Sequence, residues 1–139
     1  MSSHILVPFD DSDPAHRALR YTFETFPDTE ITVLTVICEI GAIDAPKQLS
    51  PEEDTGSFSE EAKQRLTVAE EIADEYSISI QTVYEVGPPG QIITEYADTE
   101  DVDQIIMGSH ERTGIARIIV GSVSETVSRR TSSPVTTIQ

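Results

Sequence analysis

The chain has 139 residues, 37% of them hydrophobic and 24% charged, proportions that fit a single globular domain and exclude a wholly disordered chain. Nine basic residues stand against 25 acidic ones, a formal net charge of −16, which excludes sequence-independent binding to nucleic-acid phosphates and docking on anionic membranes. Lys47 and Lys63 are the only lysines, and an acidic, lysine-poor surface is expected of a high-salt cytoplasm, where screening over about 3 Å at 1 M mutes self-repulsion. Cys38 is the single cysteine, so no internal disulfide can form and a reducing cytoplasm is the expected compartment. The start, Met1-Ser2-Ser3-His4, lacks the basic and apolar regions of a secretion signal. The longest apolar stretch, from Ile31 towards Ile43, is broken by Thr32, Thr35 and Glu39 and is too short and polar to span a bilayer.

In chain order, Ile5-Leu6-Val7-Pro8-Phe9 is a short apolar run, as a strand buried on both faces requires. Asp10-Asp11-Ser12-Asp13-Pro14 is a turn into a helix, with Ser12 or Asp13 as cap and Pro14 in the first turn. Ala15, Ala18, Leu19, Thr22, Phe23 and Phe26 form its apolar stripe. Ile31 to Ile37 is a second, β-branched strand. Residues 39–57 hold Pro46, Pro51, Gly56 and several acids and are expected to form a mobile loop inside a domain spanning 1–139.

Ser57 and Glu60 have capping-box spacing, and Ala62, Leu66, Ala69, Ala73 and Tyr76 mark a second helix with an acidic outer face. Ile78 to Val86 alternates as a less buried strand, and Gly87-Pro88-Pro89-Gly90 breaks it. Ile92, Ile93, Tyr96 and Ala97 mark a third helix, and Asp103 to Met107 a fourth strand. A glycine-punctuated segment from Gly108 to Gly121 precedes a helix expected near Ser122, and Pro134 to Ile138 is a last strand. Alternating strands and helices imply a single-domain α/β protein: an open, doubly wound, Rossmann-like parallel sheet with helices on both faces. Ligands of such sheets bind at the carboxyl ends of the strands, which directs attention to the loops after Phe9, Ile37 and Met107.

The Gly108–Ser124 segment is the most informative. It follows a strand and ends at a helix start with Ser122 as cap and Glu125 three residues on. Glycines let backbone N–H groups approach an anion, and a helix amino terminus offers unpaired donors. Residues 1–103 carry five bases and 23 acids, whereas 104–139 carry four and two, so the local balance moves from −18 to +2. The same glycines could simply shape turns and Ser122 simply cap a helix. No Gly-Lys-Ser/Thr and no G-x-G-x-x-G is present, which points away from P-loop phosphoryl transfer. Asp10, Asp11 and Asp13 are explained by turn and cap roles. Ser109-His110-Glu111 lacks a G-x-S-x-G setting, and His4, His16, His110 and Cys38 lack zinc spacing.

Several pieces together resemble the universal stress protein family: Ile5-Leu6-Val7-Pro8-Phe9-Asp10, the Asp10-Asp11-Ser12 turn, Val33-Leu34-Thr35-Val36, Gly87-Pro88-Pro89, Ile105-Ile106-Met107-Gly108-Ser109-His110 and Gly121-Ser122-Val123-Ser124. The last is similar to the end of the family's nucleotide motif, G-x2-G-x9-G-[S/T]. The resemblance implies a five-stranded parallel sheet of the adenine nucleotide alpha hydrolase-like type. It also implies a homodimer joined through the last-strand edge, Val135, Thr136, Thr137 and Ile138, an edge that would otherwise remain an unpaired template. By the same resemblance ATP or another adenine nucleotide is held by Pro8, Phe9, Asp10, Val36, Met107, Gly108, His110, Gly121, Ser122, Val123 and Ser124. Asp10 falls near the adenosine, the Val36 backbone at the adenine edge, and Gly121 to Ser124 at the phosphates.

Two positions depart from the pattern. The motif's second glycine is Glu111, and two negative charges about 4 Å apart repel by roughly 4 kcal/mol at an effective dielectric near 20. A side chain turned to solvent, a bridging Mg2+ or the adjacent Arg112 would relieve that repulsion. Asp11 replaces the turn glycine, a milder change because Asp tolerates turns. The expected function is regulatory binding of an adenine nucleotide by a cytoplasmic dimer rather than catalysis. The alternatives are a dimeric interaction protein that Glu111 has deprived of nucleotide, and a slow nucleotide hydrolase.

Overall fold

The computed structural model describes residues 3–37, 51–109, 127 and 133–139, with residues 51–58 described by backbone alone. The chain runs β1 (His4–Pro8), α1 (Asp13–Thr25), β2 (Glu30–Ile37), α2 (Pro51–Glu75), β3 (Gln81–Val86), α3 (Pro89–Thr99), β4 (Gln104–Gly108) and β5 (Val135–Ile138). The five strands form one sheet in the order β3-β2-β1-β4-β5, and every pairing is parallel. The doubly wound sheet expected from the sequence is therefore present. Strand order reverses at β1, which has β2 on one side and β4 on the other, so the switch point lies at the carboxyl ends of β1 and β4.

Hydrophobic burial on both faces explains the apolar runs. On one face Ile5, Val7, Phe9, Ile31, Val33 and Ile106 pack under α1 and α2 through Leu19, Phe23, Ala69, Ile72 and Ala73. On the other, Leu6, Leu34, Ile105 and Met107 pack against Ile93 and Ala97 of α3 and against Val127. Burying a Leu or Ile side chain is worth about 1.5–3 kcal/mol, so these two clusters supply the main driving force for the sheet. Neighbouring residues of β1 thus serve opposite cores, and polar alternation could not appear there.

The α1 helix begins as its sequence dictates. Ser12 is the N-cap, its hydroxyl accepting the Ala15 N–H at 3.3 Å, and Pro14 sits in the first turn. Thr22 completes the apolar stripe although it is polar, because its hydroxyl donates back to the Ala18 carbonyl at 2.8 Å. The α2 helix corrects the sequence expectation: it starts at Pro51, not after Ser57, so residues 51–57 are helical and not part of a mobile loop. The physical reason was already in the sequence. Pro51 suits a first helical position, and Glu52, Glu53 and Asp54 suit the positive end of the helix dipole. Residues 38–50, with Cys38, lie outside the described residues, as does the start of the helix expected near Ser122.

One close approach positions α1 on the sheet. A Cβ added to Gly108, at the end of β4, would lie 2.6 Å from the Pro14 carbonyl carbon and 2.7 Å from the Ala15 nitrogen. These are backbone atoms in a capped first turn and cannot yield cheaply. Gly108→Ala is expected to destabilise the fold by about 1–3 kcal/mol, the usual cost of overpacking. Urea unfolding monitored by circular dichroism checks this, and an unchanged midpoint would contradict the packing role.

Candidate functional site

The two ends of the sheet differ. At the amino end, side chains tie neighbouring strands together: His4 Nε2 pairs with Thr32 Oγ1 at 2.8 Å, and Thr32 with Gln81 at 3.4 Å. An open hollow of about 330 Å3 at that end is lined in part by Ser3, Phe26, Asp103 and Pro134. The Asp103 carboxylate already accepts the His4 N–H at 2.8 Å, and the hollow lies opposite the end where parallel sheets bind ligands.

At the carboxyl end, unequal strand lengths leave a notch. β1 is paired with β2 only as far as Pro8 and Leu34. The Phe9 N–H adds one more bond, to the Leu34 carbonyl at 2.9 Å, before the chain turns away. β2 continues to Ile37 with β3 alone beside it. In a parallel strand the N–H and C=O of one residue point the same way, and alternate residues point to alternate neighbours. Leu34 faces β1 and Ile37 faces the β3 side, where its carbonyl accepts the Gly87 N–H at 3.0 Å. Val36 therefore turns its donor and acceptor side by side towards the place β1 has vacated.

The turn that removes β1 is built by its own side chains. Asp10 Oδ1 accepts both the Ser12 N–H at 3.1 Å and the Ser12 hydroxyl at 2.6 Å. Asp11 takes a left-handed conformation at φ 63°, the conformation for which a glycine would be the default. Its carboxylate reaches His16 Nε2 at 2.6 Å, and the His16 ring lies 5.3 Å from that of Phe9. The replacement of the turn glycine is thus accommodated: Asp tolerates the conformation, and its side chain ties the turn to α1.

The described residues of the expected site converge here. Pro8 and Phe9 are buried beneath the rim and Asp10 is exposed on it. Val36 lies on the adjoining strand, and Met107 and Gly108 end the strand on the other side of β1. Gly108 faces the first turn of α1, so packing is sufficient to explain its lack of a side chain. His110, Glu111, Gly121, Ser122, Val123 and Ser124 lie outside the described residues.

Sequence reasoning missed one residue. Arg65, on α2, reaches over the end of β2 with its side chain 21% exposed, held at Nη2 by Glu61 at 2.7 Å. Its Nη1 donates to the hydroxyl of the buried Thr35 at 3.3 Å and to the Val36 carbonyl at 3.4 Å. The available signal was scarcity: between Arg20 and Arg112 the sequence has only Lys47, Lys63 and Arg65 as bases.

An open parallel α/β sheet with its crevice at the strand-order reversal defines a Rossmann-like protein. The sequence profile of the universal stress protein family matches residues 1–139, and the chain belongs to that family. Universal stress protein MJ0577 of Methanocaldococcus jannaschii is 30% identical, over 100% of this chain and 96% of the relative. The solved structure of that protein superimposes with a TM-score of 0.77 at 32% identity, over 99% of this chain and 96% of the other. A universal stress protein in complex with cAMP gives a TM-score of 0.71 at 20% identity, over 99% and 97% of the two chains. A family member from Arabidopsis thaliana with AMP bound gives 0.70 at 19%, over 98% and 90%. At those last identities the likeness speaks for the fold. No described helix is long and apolar enough to cross a membrane.

The left-handed turn gives a direct test. Asp11→Ala is expected to lower stability by about 1–2 kcal/mol through backbone strain, whereas Asp11→Gly removes that strain and is expected to cost less. Thermal unfolding of both variants checks the order, and equal losses would show that the conformation of residue 11 is not what matters.

Proposed function

We propose that this protein is a regulatory nucleotide-binding module that takes ATP or another adenine nucleotide in the crevice between the ends of β1, β2 and β4. The observation that carries the reading is the Val36 notch: a backbone N–H and C=O side by side, left unpaired by strands because β1 stops short. Adenine presents the complement, with N1 as acceptor beside the N6 amine as donor. Pro8, Phe9 and Met107 would form the apolar floor and Asp10 would face the ribose side. His110, Gly121, Ser122, Val123 and Ser124 would receive the phosphates, with Mg2+ relieving the charge of Glu111. The cAMP- and AMP-bound family structures support an adenine nucleotide as the ligand class. A binding role is favoured over catalysis because the rim carboxylate Asp10 has Oδ1 committed to the Ser12 turn.

The homodimer belongs to the same proposal. Among the described strands, β5 pairs with β4 alone. The Pro134 and Ile138 carbonyls accept from β4 and from Ser109, so by alternation Val135 and Thr137 present their backbone groups to the open edge. Thr137→Pro removes an outward N–H without touching the β4 ladder. It is expected to shift sedimentation from dimer to monomer with circular dichroism unchanged, and a persistent dimer would place the interface elsewhere.

Calorimetric titration with ATP, AMP and cAMP, with and without Mg2+ in concentrated salt, tests the nucleotide reading. Saturable binding is expected, strengthened by Glu111→Gly and lost in Gly121→Asp. If wild type shows no heat up to millimolar nucleotide while Glu111→Gly binds, the protein is a dimeric interaction protein instead. Should neither bind, the crevice is not a nucleotide site.

A further inference from the structure

We infer that Arg65 binds the ligand itself: its guanidinium, fixed over the carboxyl end of β2, stacks on the face of the adenine held in the Val36 notch. The inference rests on the nucleotide reading above and adds a contact made by α2, outside the strand-end loops that define the crevice.

The side of the sheet from which Arg65 approaches follows from alternation along β2. Ile31 and Val33 pack under α1 and α2, whereas Leu34 and Val36 pack on the α3 side, so Thr35 points to the α2 face. Arg65 reaches down on that face, where Nη1 donates to Thr35 Oγ1 at 3.3 Å and to the Val36 carbonyl at 3.4 Å. Glu61, one helical turn earlier, accepts from Nη2 at 2.7 Å. The Arg65 side chain is 21% exposed against 48% for Glu61, so the cation is turned towards the sheet and its partner towards solvent. The guanidinium is thus held on the α2 side of the sheet, beside the atom that serves the notch as acceptor.

A base paired with the Val36 N–H and C=O lies close to the plane of the sheet. Ladder hydrogen bonds run within the sheet, and those of a base edge run within the plane of the ring. One face of the base is therefore turned to the α2 side, towards Arg65. The electron-rich face of an aromatic ring attracts a cation, and the planar guanidinium of arginine stacks on such faces, those of nucleobases included. This contact leaves the base edge free to pair. A carbonyl has two lone pairs, and 3.4 Å is long for an N–H···O bond, which is usually about 2.9 Å. The N6 amine of adenine can therefore take the Val36 carbonyl in the sheet plane while Arg65 covers the ring from above.

Titrating isotopically labelled wild type with AMP and with adenosine, in concentrated salt, separates stacking from a contact with phosphate. A ring lying over the guanidinium shields the groups beside it, so the Arg65 δ-methylene protons are expected to move upfield saturably with either ligand. Arg65→Met keeps an unbranched stem and removes the cation, and is expected to weaken AMP and adenosine by the same factor, about tenfold by calorimetry. Arg65→Lys restores a cation without the planar group and is expected to lose less. A loss confined to AMP would assign Arg65 to the phosphate, and unchanged or tighter binding by Arg65→Met would leave the arginine only the task of tying α2 to β2. Either result overturns the inference, as does AMP binding to wild type with the δ-methylene protons unshifted. The wild-type shift with AMP decides alone where a variant fails to fold or adenosine binds too weakly to titrate. Failure of AMP, ATP and adenosine to bind wild type and Glu111→Gly alike overturns the nucleotide reading itself, and this inference with it.

Discussion

The candidate site depends on a mismatch of strand lengths. β2 outruns β1 by the residues Thr35 to Ile37, which among the described strands pair only with β3. Without that mismatch the Val36 backbone would be consumed by the ladder and the carboxyl edge of the sheet would be closed. With it, the Val36 N–H and C=O are aimed beyond the end of β1, the carbonyl already accepting from Arg65 at 3.4 Å. The mismatch is enforced by the Asp10–Ser12 turn, which takes the chain out of the sheet and directly into the capped start of α1.

That turn and the packing of α1 are one device. Gly108 allows the first turn of α1 to rest against the end of β4, Ser12 caps the helix, and the Asp11–His16 contact closes the loop on its outer side. A change at Gly108 would displace the rim that Asp10 occupies before it touched any ligand. Gly108 thus has a packing duty that needs no bound anion. Replacing the turn glycine by Asp11 is tolerable because the exchange adds a contact where it adds strain.

Much of this was legible in the residues. The β-branched and apolar runs gave the strands, because strands buried on both faces must be apolar throughout. Ser12-Asp13-Pro14 gave the start of α1 through the chemistry of a helix amino terminus. The start of α2 was misread because Pro51 and the acids after it look like loop composition when weighed singly and like a helix start only when taken in order. β3 begins at Gln81, although the alternating pattern begins at Ile78, since Ile78 and Ile80 pack on the core before the chain enters the ladder. The notch itself could not be read, because it depends on the register between β1 and β2. Arg65 was hidden for a related reason: in an acidic amphipathic helix an arginine four residues after a glutamate reads as a solvent-facing pair. Only the reach of α2 over the end of β2 turns it inward.

The Val36 amide reports directly on whether the notch fills. In 15N-labelled protein titrated with AMP in concentrated salt, the Val36 N–H resonance is expected to shift saturably and its hydrogen exchange to slow as the notch fills. Saturation of binding with the Val36 amide unmoved and exchanging as before would place the base elsewhere than in the notch.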